Sequence, residues 1–441
     1  MKKTSTLKSG IAVLALSLLA LASCKKNDTE GLVTTLAITS KGGNDTTTVG
    51  NAITFAPTVT TKTGVTYSWT VNGVQKGTGA TFTYKPESGG DYQIAFKVIA
   101  ALSSDVVNYK VHVYAKYENG FFVANEGWFG HGTGTLSFYR FNTHTKEDSI
   151  FEKENPGKNL EPKTSSLEYG TIYNNKLVLV SKSGGPVVIA DASSLKQLGR
   201  IPAAGGSNWM AFVGVSDTKG LLSSADGIYP FDLTTYATGT KLAGVSGTVG
   251  DLIKAGNYVF ALSETDGVVV INAATNAVVK KIAGMDVAFA KTPDGSVWAA
   301  GGTSLIKINP STLAVTTVTL PFTAYGTWFA WHPGSITAST KTNTVYIANN
   351  GMFSGATTIY KYDGTAASVQ TPLINIPTGK ELYGAGLKYI PQTDQLAVTT
   401  VESGYGAHYA VNNLYFYNTS GALASNLAYA GYYFPATPFT Y

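Results

Sequence analysis

The stretch Tyr258-Val259-Phe260-Ala261-Leu262-Ser263-Glu264-Thr265-Asp266-Gly267-Val268-Val269-Val270-Ile271-Asn272 decides the fold. Two short apolar runs flank a small polar turn, and the second run ends in Asn. Short runs rich in β-branched and aromatic residues, bounded by turn formers, read as strands. The second run recurs along the chain at 136–142, 187–191, 228–232, 268–272, 305–309, 358–363 and 414–418, each copy ending in Asp or Asn. The intervals between these polar ends are 49, 41, 40, 37, 54 and 55 residues. Asp and Asn recur there because their side chains bond backbone groups two residues on and close a tight turn. Each copy follows another apolar strand, at 121–124, 176–180, 220–222, 258–262, 296–299, 344–348 and 395–398.

A period near 40 residues with up to four strands per repeat is a propeller blade. The spacing therefore predicts an all-β chain whose residues 117–441 form a seven-bladed β-propeller. No single blade buries its own faces, so the ring must stack each sheet on the next. The first blade has almost no room for an innermost strand before Phe121. The apolar chain end, Gly431 to Phe439, is predicted to supply it.

Ahead of the repeats, residues 31–116 alternate in the manner of strands. Tyr67-Ser68-Trp69-Thr70-Val71 runs into Asn72-Gly73, a strong hairpin signal. About seven short strands in this segment read as a β-sandwich, with Trp69 most simply a core residue. Tyr67-Ser68-Trp69 with Gly73, and Gly90-Asp91-Tyr92, resemble PKD or Ig-like spacer domains, which implies a unit that lifts the main domain off a membrane.

The N-terminus opens with Lys2, Lys3 and Lys8, followed by an apolar run over 11–22 that is short for a membrane span. Leu21-Ala22-Ser23-Cys24 resembles a bacterial lipobox. The resemblance implies a signal peptide over 1–23, lipidation of Cys24, the single cysteine, and a polar tether over 24–30. Acyl chains give a stable anchor when two or more are present. Acidic residues beyond the cysteine resemble the surface-export signal of Bacteroidota lipoproteins, although Lys25 and Lys26 make the match partial. The expected location is the outer membrane, lipid-anchored and cell-surface exposed, with periplasmic retention left open. Without the leader, 29 Lys and Arg face 27 Asp and Glu, about +2. No region is basic enough to name a nucleic acid as partner.

In a propeller, the loops from second to third strand share a face with the loops between blades. Three second-to-third loops are long: 125–135, 349–357 and 402–412, in blades that become neighbours on ring closure. The first carries Asn125, Glu126, Trp128, Phe129 and His131. The second carries Asn350, Met352 and Phe353, and the third Tyr405 and His408. Loops between blades add Trp209, Tyr325, Trp328 and Tyr383. Aromatics give wide contact at low entropic cost, and Gly and Asn give adaptable hydrogen bonding, a set suited to a large, flat ligand bearing amides or hydroxyls. Each aromatic either meets that ligand or plugs the funnel. Trp298 and Trp331, inside strands, read as packing residues.

Phe122-Val123-Ala124-Asn125-Glu126-Gly127, Leu136-Ser137-Phe138-Tyr139 and Tyr433-Phe434-Pro435-Ala436 resemble the DUF5074 family, whose members are similar to YncE-type propellers. The resemblance covers about 117–441. Its best-understood relatives, the BtuG-type surface lipoproteins, capture cobalamin for the TonB-dependent transporter BtuB. That implies a nutrient receptor with a corrinoid as leading ligand. The added sandwich domain departs from those relatives, and no single corrinoid contact carries over by motif.

His112, His131, His144, His332 and His408 show no metal spacing, so neither a metal nor a cofactor is expected. His131 and His408 are placed to bond a ligand, to ligate a cobalt from below, or simply to face solvent. Glu126, Glu264, Asp266, Glu381 and Glu402 lie in or near the same loops, but no nucleophile motif accompanies them. The expectation is a binder rather than an enzyme, with a glycan-binding surface protein as the second reading and a propeller hydrolase or lyase as the third.

Overall fold

The structure, a computed structural model, describes residues 36–326, 335–352, 354–404, 406–431 and 433–441. The lipobox, Cys24 and the tether lie outside them, as do Trp328, Trp331, His332, Phe353 and Tyr405. Two compact units separate, and Lys110–Tyr441 belongs wholly to one of them.

The N-terminal segment forms a five-stranded sheet in the order Asn44–Thr48, Ser104–Tyr114, Gly90–Ile99, Thr66–Val71, Val74–Gly77. A second sheet pairs Ile53–Phe55 with Phe82–Tyr84. Asn72 and Gly73 both take positive φ, 49° and 80°, which makes the two-residue hairpin turn that matches strand twist. Trp69 is fully buried, its ring 4.6 Å from Phe96 and 5.3 Å from Phe82, and its indole N–H donates to the Gly79 carbonyl at 2.9 Å. A buried indole needs such a partner, so Trp69 is a core residue.

From Gly120 onward the strands form seven antiparallel sheets among the described residues. The fourth contains the deciding stretch: Val249–Ala255, Tyr258–Ser263, Gly267–Asn272 and Val278–Ile282, in that order from the centre outward. Its middle strands are buried on both faces. Val259, Ala261, Val269 and Ile271 pack toward the third sheet, and Phe260, Leu262, Val268 and Val270 toward the fifth. Side chains alternate across a strand, so a run apolar on both faces is what a sheet stacked between two others requires. Similar apolar clusters join every neighbouring pair, including the seventh sheet to the first through Phe416, Leu414, Phe121 and Tyr139. The sheets thus close a ring, and the molecule is a β-propeller.

Closure follows the expected route. Pro435–Phe439 pairs antiparallel with Gly120–Asn125 and becomes the innermost strand of the first sheet, Phe439 opposite Phe122. The Asp and Asn turns also behave as the residue types dictate. Asn272 Oδ1 accepts from the amides of Ala274 and Thr275 at 3.0 and 3.1 Å, and Asp191, Asp232 and Asn309 accept from the same two relative positions.

Two sheets depart from four strands. The third has Trp209–Ser216, Lys219–Ser224 and Gly227–Asp232, with only an isolated bridge, Phe231 to Thr238, in place of an outer strand. In the fifth, Val297–Ile308 is one continuous element that pairs with Phe289–Lys291 through its first half and with Val315–Ala324 through its second. A five-residue helix, Ile150–Glu154, buries Ile150 and Phe151 between the first two sheets. No helix among the described residues is long and apolar enough to cross a membrane.

Candidate functional site

The enlarged loops span 126–134 in the first sheet, 349–357 in the sixth and 403–410 in the seventh; a short 3-10 turn, Gly406–Ala410, occupies the last. They converge on one rim. The amides of Glu126 and Gly127 donate to the carbonyls of Phe434 and Tyr433 at 3.0 and 3.3 Å. The Phe434 ring, whose backbone sits at φ 51°, lies 5.8 Å from Tyr383 and 5.3 Å from Tyr409. The sixth-sheet loop joins through an Ala356 to Leu382 bridge and through the Gly355 amide, which donates to Glu381 Oε2 at 3.1 Å.

The candidate residues divide into two sets. Trp128, Phe129 and Met352 are exposed, by 41%, 60% and 51%. Single exposed apolar residues are ordinary; here two adjoin in the first loop and a third lies in the sixth-sheet loop of the same rim. His131 stacks on Trp128 with ring centroids 3.9 Å apart. His408 Nδ1 lies 2.6 Å from Glu402 Oε2, both exposed.

The second set is inside. Asn125 is buried and donates from its amide to Ser137 Oγ at 2.8 Å, so it is a structural residue of the loop base. The Tyr383 hydroxyl donates to Glu126 Oε2 at 2.7 Å. Burial raises the carboxyl of Glu126 above its ordinary range, moderated by the Lys182 ammonium and the Tyr383 hydroxyl. Burial, then Glu126, drives the Tyr383 phenol well above its ordinary value. Close by, Lys182 Nζ lies 2.7 Å from Glu168 Oε1, and Glu168 is fully buried. Tyr325 is half-buried. Trp209 is half-buried with its ring edge-on to Tyr229 at 5.4 Å.

Several buried polar atoms at this end of the strands have no hydrogen-bond partner in the protein: Glu126 Oε1, the amide O and N of Asn350, Trp209 Nε1, Asp286 Oδ1 and Asn412 Oδ1. Native interiors satisfy nearly all such groups, each orphan costing about 1–3 kcal/mol. Of these, Glu126 and Asn350 lie in enlarged loops and Asn412 just beyond one, which marks those loops as a place where partners from outside the protein are wanted. Sequence reading singled out Glu126, Asn350 and Trp209 but not Glu168, Lys182, Asp286 or Asn412. A carboxylate in an otherwise uncharged innermost strand, Glu168 in Ser166–Tyr173, was the available signal. No group of three or more His, Cys, Asp or Glu placed to hold a metal occurs among the described residues.

These features define a β-propeller with one elaborated, apolar-tipped and polar-floored rim. A family model described as "Domain of unknown function (DUF5074)" matches residues 119–440, and the chain belongs to that family. A crystal structure of a quinonprotein alcohol dehydrogenase-like protein from Bacteroides thetaiotaomicron is similar at 19% identity and a TM-score of 0.60, covering 92% of this chain and 99% of that one. At that identity the likeness concerns the fold. A protein of unknown function from Bacteroides caccae is similar at 11% identity and a TM-score of 0.39, covering 58% of this chain and 93% of that one. No curated protein sequence matches the chain.

Proposed function

We propose that this protein is a non-catalytic, lipid-anchored surface receptor that captures a nutrient, a corrinoid, on the rim of the three enlarged loops for a TonB-dependent outer-membrane transporter. The anchor is Cys24. The observation that carries the reading is the pairing of exposed Trp128, Phe129 and Met352 with the partnerless polar atoms of Glu126, Asn350, Trp209, Asp286 and Asn412 at the same end of the strands. A broad ligand with an apolar ring and peripheral amides answers both halves of that surface. Isothermal titration with cyanocobalamin tests it. Saturable binding that weakens in Phe129→Ala and Met352→Ala supports the reading, and no heat at millimolar ligand rejects the corrinoid.

A second reading, a glycan-binding surface protein, draws on the exposed Trp128 ring stacked with His131, because sugar faces pack on such rings. Titration with oligosaccharides in place of cyanocobalamin separates the two. A hydrolase or lyase is favoured by one feature only, the burial of Glu126 beside Tyr383, which holds a carboxyl and a phenol at high proton affinity.

A further inference from the structure

The axis of the propeller holds a cavity of about 520 Å³. It is lined by residues from the innermost strands of all seven sheets, and it lies toward the ends where those strands turn back, away from the enlarged loops. Its volume falls within the 300–1,000 Å³ typical of small-molecule sites. Three lysines line it: Lys254 near the end of Val249–Ala255, Lys291 at the end of Phe289–Lys291, and Lys388 near the end of Lys380–Ile390. The innermost strands run in the same direction, so their ends form one rim, and the lysines form an arc along it.

None of the ion pairs between described residues takes up any of these three ammonium groups. Among the described residues, Lys254 Nζ donates to the Gly256 carbonyl at 3.3 Å. Lys388 is the most enclosed, and burial lowers its proton affinity against the opposing influence of Asp251. Asp251, the carboxyl on the wall, is held instead by backbone: the amides of Leu252 and Phe289 donate to it at 2.8 and 3.0 Å. Lys254 and Lys388 are half-buried and Lys291 is exposed, Asp251 is the carboxyl that acts on Lys388, and an anion in the cavity adds charge that answers all three ammonium groups. Thr171 and Thr437 also line it, the Thr437 hydroxyl donating to the Glu168 carbonyl at 2.9 Å.

We propose that this axial cavity is a second binding site, separate from the loop rim, that takes a small hydroxylated anion, a carboxylate- or phosphate-bearing molecule of sugar size, with Lys254, Lys291 and Lys388 as its counter-charges. The test is calorimetric titration of the full chain at low salt with glucuronate, glucose 6-phosphate, inorganic phosphate and neutral glucose. The charged sugars bind and glucose does not. Lys291→Ala, at an exposed strand end, weakens the charged sugars at least fivefold with melting unchanged, and Lys388→Met weakens them at least tenfold. Inorganic phosphate alone binding as tightly as glucose 6-phosphate overturns the hydroxylated, sugar-sized ligand and leaves only an anion site read by charge. Failure of every charged probe to bind at 10 mM overturns the proposal, as does glucose binding as well as its charged counterparts, or equal binding by wild type and both lysine variants.

Discussion

The hydroxyl of Tyr383 donates to Oε2 of Glu126 at 2.7 Å, joining the innermost strand of the seventh sheet to the first enlarged loop across 257 residues of sequence. The same carboxylate has its other oxygen buried without a protein partner. Removing the donor therefore leaves a buried carboxylate poorer by its one side-chain hydrogen bond. Tyr383→Phe should lower stability by about 1–3 kcal/mol, read by urea denaturation. Glu126→Gln placed on top should recover part of that loss, because the uncharged amide is less costly to bury. Equal stability of wild type and Tyr383→Phe would show that the pair carries no load.

Ring closure yields a second expectation. Phe439 is 5% exposed, stacks on Phe122 with centroids 5.2 Å apart and planes 17° apart, and belongs to the core between the first two sheets. Truncating such a ring to Ala leaves a cavity, so Phe439→Ala should cost about 3–5 kcal/mol. Deleting 435–441 removes the whole innermost strand, the Thr437 hydroxyl bond to the Glu168 carbonyl and the apolar cover of Phe122. The deletion should abolish the cooperative melt seen by circular dichroism. A sharp transition in the shortened chain would contradict closure by this strand.

The repeat turns show how far local chemistry was legible. Asn272 and its counterparts announce a turn because a short side chain with an acceptor oxygen reaches amides two and three residues on, and that logic needs no tertiary context. The same turn places Leu195, Tyr236, Asn276 and Leu313 at φ near 57–61°, four residues after the Asp or Asn. Only Asn276 is a residue type that advertises the conformation; Leu and Tyr are held there by the surrounding ladder, so sequence gave no warning. Substituting Asn272 by Ala should lower stability by about 1 kcal/mol, in line with other lost side-chain caps on backbone amides. An unchanged urea midpoint would mean the backbone ladder suffices alone.

The rim was legible as loops but not as a partition. Loop length and composition pointed to 125–135, 349–357 and 402–412, yet nothing in one sequence says that Trp128, Phe129 and Met352 face outward while Asn125 and Tyr383 face inward. That division arises from the crossing of the chain end over the first loop at Phe434, a contact between residues some 300 apart. The axial lysines escaped for a related reason: each looks like an ordinary charged strand end until ring closure sets the ends side by side. For the exposed set, Phe129→Ala and Met352→Ala should leave stability within about 0.5 kcal/mol, as surface substitutions usually do. The same variants should weaken rim-ligand binding at least tenfold in the cyanocobalamin titration. Binding that survives both would move the contact surface elsewhere.

Asp251 allows a pH test with an unusual sign. Burial pushes its carboxyl from an ordinary value near 3.8 up to about 7, against the Phe289 and Leu252 amides and the Lys388 charge, which act to lower it. A folded-state value above the unfolded one means the native protein holds a proton that the unfolded chain has already lost between about pH 4 and 7. Stability from this group is therefore fully present below about pH 4 and declines as pH rises through 7, the reverse of a salt-bridged aspartate. Asp251→Asn stays neutral throughout but keeps an acceptor for only one of the two amides, which bond different carboxyl oxygens, so it carries a constant loss at every pH. The variant should therefore be less stable than wild type near pH 4.5 and gain on it steadily toward pH 8, the difference changing mainly between those values. Comparing the two proteins cancels the other buried acids, Glu126, Glu152 and Asp286, whose carboxyls burial also raises. Parallel stability curves for the pair from pH 4.5 to 8 would place the Asp251 carboxylate in solvent and remove it from the wall of the axial cavity.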